Sequence, residues 1–167
     1  MYSEILAIAL TLVASVTDIR SKKIPNWLTF PGALAGILCR WWQTANSESP
    51  TAGLVSGIEG WFLAVAIMLG TRYVAYLVGR SGSSSPVGFG DIKLMAALGA
   101  CLGPAMFLCQ LLVFSFLFIN YGLVKIATAK GKISQTLQSR VTLAPFMALA
   151  TICSIVFYEP LSRLLGM

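Results

Sequence analysis

Long apolar runs separated by short polar breaks organise this chain from end to end. Six can be marked, near Tyr2–Thr17, Trp27–Gln43, Leu54–Val78, Asp91–Gly103, Ala105–Lys125 and Thr142–Tyr158. Runs of this kind predict helices packed in or against a bilayer. Several are shorter than the roughly 20 residues that a straight crossing of the hydrocarbon requires. The fourth is the extreme case: at 1.5 Å per residue it reaches only about 20 Å. Its Asp91 end is therefore expected in a water-accessible recess or a thinned patch of bilayer. The pattern predicts an all-α integral membrane protein, residues 1–167 forming one polytopic domain of six transmembrane helices with a short, Gly-rich fourth one.

Basic residues give the orientation, because Lys and Arg near span ends are retained on the cytoplasmic side. With the N-terminus outside, the inner loops hold Arg20, Lys22, Lys23, Arg80, Lys125, Lys130, Lys132 and Arg140, and the outer ones only Arg40 and Arg163. Glu4, Glu48, Glu59 and Glu159 then fall outside, and Asp18 and Asp91 are the acids left at the inner face. Two carboxylates are thus expected at the cytoplasmic surface of an inner membrane.

Small residues recur four apart in Gly32/Gly36, Gly53/Gly57 and Gly99/Gly103, which predicts close helix approach. Pro25 suits the first turn of the second helix, and Pro31-Gly32 is expected to kink it. Residues Arg80 to Gly90, with SGSSSP inside, read as a mobile cytoplasmic loop leading to Asp91 and are expected to gate substrate entry.

Composition agrees with a membrane protein. Of 167 residues 57% are hydrophobic and 11% charged, with a mean hydropathy of +0.81, against about 25% charged in soluble domains. A net charge of +6 does not point to nucleic acid, because the basic residues are scattered among apolar runs. Cys39, Cys101, Cys109 and Cys153 lie in apolar stretches without CxxC spacing, so neither a metal nor a redox site is expected. Histidine is absent, which removes the usual general base. The first residues carry Glu4 and no basic residue, unlike a cleaved signal peptide.

Chemistry then rests on Asp18 and Asp91. Asp18 closes the first helix at the end where an acid is disfavoured by up to about 1 kcal/mol, so a capping role is poor and a surface pair with Arg20 or Lys22 is the plain alternative. Asp91 suits a helix N-cap as well as catalysis. Ionisable groups at membrane depth are functional candidates by default. Two carboxylates in contact cannot readily both ionise and share a proton. One can take a proton from water attacking a peptide carbonyl while the other donates to the carbonyl oxygen. Gly88 and Gly90 around Phe89 leave backbone free to lie along an extended substrate. Lys93 is a candidate to orient Asp91 or attract substrate, or snorkels to the interface. Arg72 snorkels or faces the polar recess, and Arg20 sits beside Asp18.

Two motifs carry a resemblance. Asp18-Ile-Arg-Ser-Lys-Lys-Ile-Pro-Asn-Trp-Leu-Thr-Phe-Pro31 and Gly88-Phe-Gly-Asp-Ile-Lys-Leu-Met-Ala-Ala-Leu-Gly99 resemble the two signature motifs of the type IV prepilin peptidases, membrane aspartyl proteases of the GxGD type. Ala144-Pro-Phe-Met-Ala-Leu-Ala150 is a looser third similarity. The resemblance implies Asp18 and Asp91 as the catalytic pair, no cofactor or metal, and prepilin-like protein substrates with a hydrophobic N-terminal helix, cut at a short basic leader. Larger members carry paired CxxC motifs and also methylate the new N-terminus; here methylation is not expected, and the chain looks like a stand-alone peptidase similar to those of tight-adherence pilus systems or archaeal preflagellin peptidases.

Other classes remain. A small transporter or channel also uses intramembrane acids and Gly-broken helices, although no inverted repeat supports it. A serine protease built on Ser83, Ser84 or Ser85 would need a lysine as base. An inactive assembly subunit could retain both motifs. Membrane lipid is the other expected partner.

Overall fold

The computed structural model describes residues 2–21, 24–45, 49–78, 88–128 and 143–165. They form five helices: α1 (Tyr2–Ser21), α2 (Asn26–Thr44), α3 (Ala52–Val78), α4 (Phe89–Thr128) and α5 (Ala144–Leu165). Tyr2–Ser21, Ala52–Val74 and Phe89–Lys125 are long and apolar enough to cross a membrane, and Ala144–Tyr158 is a shorter apolar helix. Among the described residues the fold is all-helical, with the long apolar helices of a membrane protein. The SGSSSP segment, with Ser83, Ser84 and Ser85, lies outside the described residues, as do Lys22 and Lys23.

Helix α1 is inverted relative to those of soluble proteins. On α1 the buried face is Ser3, Ala7, Leu10, Thr11, Ala14, Ser15 and Asp18, repeating every three or four residues, while Leu12, Val13, Val16 and Ile19 are exposed. Large apolar side chains face the lipid and small or polar ones face in, because lipid tails solvate leucine as well as the core does and association rests on close packing. Two of the inward hydroxyls have partners on their own helix, Thr11 Oγ1 donating to the carbonyls of Ala7 and Ile8 and Ser15 Oγ to that of Thr11, while Ser3 Oγ donates across to Gln43 Oε1 of α2 at 3.3 Å.

The expected short fourth helix does not stand alone. The fourth and fifth apolar segments belong to α4, which is broken at Gly103 (φ 73°, ψ 173°) ahead of Pro104. Residues 94–103 are all buried, and α4 touches every other helix. This half is short because it is surrounded by protein and has no need to match the bilayer. Non-helical backbone at membrane depth is tolerated only in such a setting.

Arg40, expected in an outer loop, is instead within α2 and completes this break. Its Nη1 donates to the carbonyls of Leu102 (2.9 Å) and Cys101 (3.3 Å), and its Nη2 to Ser56 Oγ (2.8 Å). Those carbonyls end the first half of α4, where Pro104 has no N–H to offer, and a cation is favourable at a helix C-terminus. The positive φ of Gly103 is one that residues with a Cβ rarely adopt, and a Cβ there would meet Ser56 Oγ and the Arg40 guanidinium at 2.7–2.8 Å.

Glycine pairs set the closest contacts, as expected for Gly32 (against Leu10) and Gly36 (against Cys101). The tightest crossing involves a residue outside the marked pairs: a Cβ on Gly60 of α3 would strike the carbonyl of Gly99 in α4, and one on Gly99 would strike that of Gly60. Pro25 sits one position earlier than anticipated, as the extended residue preceding α2 (φ −73°, ψ 141°), and Pro31 is accommodated within the helix.

Candidate functional site

The site is assembled where the end of α1, the start of α4 and the start of α5 meet. Asp18 is buried, at 9% exposure, although it lies in the last turn of α1. An acid there opposes its own helix dipole, but its Oδ2 accepts the backbone N–H of Ala144 at 3.5 Å, in the first turn of α5. The carboxylate therefore faces the positive end of a neighbouring helix, which offsets the disfavour of its own. A surface pairing with Arg20 is not its setting: Arg20 is exposed on the same turn. Pro145 fits beside Ala144 because first-turn N–H groups have no partner within the helix.

Asp91 is in the first turn of α4 and half-buried. The helix opens at Phe89, two residues earlier than its apolar pattern indicates, and the N–H of Ile92 donates to the carbonyl of Gly88 at 3.3 Å. Gly88 is thus the cap residue and Asp91 the third helical one. Its carboxylate turns back on the Gly88 backbone N–H, the arrangement an acid at this position makes in a capping box. This carboxylate and that of Asp18 are near enough to act on each other's charge.

The glycines have separate jobs. A Cβ on Gly88 would lie 3.1 Å from Asp91 Oδ2, whereas one on Gly90 would lie 3.2 Å from Ile24 Cβ. Gly88 leaves room for the carboxylate, and Gly90 lets α4 start against the connection between α1 and α2. Phe89 between them is 61% exposed, and the Arg72 guanidinium of α3 stacks 3.9 Å from its ring centroid. That is a cation–π contact, so Arg72 reaches across to the rim of the site. Lys93 Nζ donates to Asn26 Oδ1 at 2.8 Å and lies 5.5 Å from the Phe30 ring centroid, which ties α4 to the start of α2.

Asp18, Gly88, Phe89, Gly90, Asp91 and Arg72 thus gather at one end of the bundle, with Lys93 on the adjoining α2 side. Sequence reasoning did not identify Ile24, Asn26 or the Ala144 N–H as parts of this assembly. The first two were visible inside the first motif, but only contact with α4 gives them a role. A backbone N–H carries no side-chain signal. Among the described residues, no group of three or more His, Cys, Asp or Glu side chains could hold a metal ion.

The chain is similar to the prepilin leader peptidase/N-methyltransferase of Burkholderia pseudomallei, 28% identical over 158 residues, which are 95% of this chain and 47% of that protein. It is also similar to a prepilin leader peptidase/N-methyltransferase of Klebsiella pneumoniae, 32% identical over 101 residues, 59% of this chain and 40% of that protein. The chain spans about half the length, or less, of these curated relatives. No solved structure gives a significant match. The model of the type IV leader peptidase family matches residues 5–123, a stretch holding most of α1, all of α2 and α3, most of α4 and both aspartates, and the chain belongs to that family.

Proposed function

We propose that this protein is an aspartyl endopeptidase of the cytoplasmic membrane that removes the leader peptide from prepilin-like precursors at the cytoplasmic face. The observation that carries the reading is the convergence of Asp18 and Asp91, from helices far apart in sequence, at one end of the bundle and within range of each other's charge. In this reading the pair shares one proton. The ionised carboxylate takes a proton from a water molecule as its oxygen attacks the scissile carbonyl, and the protonated carboxyl gives its proton to the carbonyl oxygen. Collapse of the tetrahedral intermediate returns a proton to the leaving amine and frees the leader.

Gly88, Phe89 and Gly90 are proposed to border the scissile segment, with Arg72, Arg20 and Lys93 shaping the surroundings. The topology that fits counts the two halves of α4 as separate spans, giving six, with the N-terminus outside. Leader cleavage is the activity assigned; the methyl transfer in the relatives' names is not assigned to these residues.

The test is co-expression of candidate pilin precursors with the wild-type protein, with Asp18→Asn and with Asp91→Asn, membrane levels of all three being checked. Cleavage by the wild type and by neither variant at equal abundance is the expected result. Cleavage by either amide variant would sink the paired-carboxylate mechanism.

A further inference from the structure

A second polar assembly lies at the opposite end of the bundle. Glu4 precedes Asp18 on α1 by about 21 Å at 1.5 Å per residue, and with Arg40, Ser56, Tyr158 and the backbone turn at Gly103 and Pro104 it lines an open recess of about 230 Å³. The recess joins groups of opposite sign. Arg40 lies within range of the charge of Glu4 and of the Tyr158 hydroxyl, and its Nε is buried without a hydrogen-bond partner. Next to Pro104, the second half of α4 begins, so the positive end of a helix faces the same space. None of these groups has a part in the cleavage chemistry.

Depth identifies the occupant. Trp41 and Trp42, adjoining Arg40, are 43% and 71% exposed on the outside of α2, and Trp27 marks the other end of the same helix at 67%. Tryptophan gathers at the level of lipid headgroups. A half-open recess at that level, lined by a guanidinium, a helix start and a carboxylate, suits a headgroup carrying both charges. We propose that it seats the phosphoethanolamine headgroup of an aminophospholipid. The phosphate faces Arg40, Ser56 and the start of the second half of α4, and the ammonium faces Glu4. This site is independent of the proposed peptidase reading.

The test is native mass spectrometry of the purified full chain in detergent with phosphatidylethanolamine, phosphatidylcholine or phosphatidylglycerol, and with phosphoethanolamine or inorganic phosphate as competitors. Phosphatidylethanolamine should be retained in preference to the other two, since choline has no N–H to give Glu4 and glycerol has no charge. Glu4→Gln, which leaves the Arg40 contacts with α4 in place, should reduce that preference by about tenfold, the worth of one charge-assisted hydrogen bond, while phosphatidylglycerol binding stays unchanged. Equal retention of the three lipids by the wild type, or a preference that survives Glu4→Gln, would overturn the proposal. So would displacement of the lipid by inorganic phosphate, which would mark a site for free anions.

Discussion

The carboxylate of Asp18, at the last turn of α1, accepts the backbone N–H of Ala144 at the first turn of α5, across 126 positions of sequence. One side chain thereby serves as a candidate catalytic acid and as the docking point of a helix. The roles separate by substitution. Asp18→Asn keeps an oxygen to accept the Ala144 N–H, so stability should fall little while cleavage is lost. Asp18→Ala removes the acceptor as well and should cost about 1 kcal/mol more, typical of a lost cap. Thermal unfolding in detergent beside a cleavage assay checks both, and equal stability of the two variants would mean that the contact with α5 contributes nothing.

Gly88 and Gly90 should differ in how they fail. Gly88→Ala places a methyl against Asp91 Oδ2 and should lower the cleavage rate at least about tenfold with little loss of stability, since a small displacement of a reacting group is enough for that. Gly90→Ala presses on Ile24 and should be rescued in part by Ile24→Ala. Rate and melting temperature of the four variants decide the matter, and no rescue in the double variant would refute the packing account of Gly90.

The Lys93–Asn26 bond joins the two sequence motifs. It is solvent-exposed, so a double-mutant cycle on Lys93→Met and Asn26→Ala should give a coupling of only about 0.5–1 kcal/mol. A coupling near zero would show that the contact does not hold α4 to α2.

At the helix crossing, Gly99→Val should prevent accumulation of folded protein, because its side chain would fall on the backbone of Gly60. Gly103→Ala should be milder: a φ of 73° with a ψ of 173° is a conformation kept essentially for glycine, costing a residue with a Cβ about 1–3 kcal/mol, and Arg40 must also shift. Membrane abundance and thermal stability measure both. Normal accumulation of Gly99→Val would contradict the crossing.

Cleavage should persist in the presence of a strong metal chelator, because the proposed mechanism uses only the two carboxylates and water. Loss of activity on chelation, restored by adding a divalent cation, would contradict it.

Hydrophobic pattern alone determined that this chain is helical and membrane-bound, since backbone entering lipid must close its hydrogen bonds in helices or in barrels, and long continuous apolar runs, unlike the alternating strands of a barrel, close them as helices. Asp18 and Asp91 were legible for the same reason: a carboxylate at the end of an apolar run is costly enough to attract notice by itself. Tertiary structure decided what such patterns cannot express. The first half of α4 is buried along residues 94–103 among the other helices, an enclosure that length measured against a bilayer cannot express. Arg40 counted as a loop charge until the break at Gly103 supplied carbonyls for it, and Gly60 had no visible role until Gly99 lay across it. Asp18 looked misplaced on its own helix and is well placed on another. In each case the deciding energy comes from a contact between residues far apart in the chain, which a reading of neighbours in sequence cannot contain.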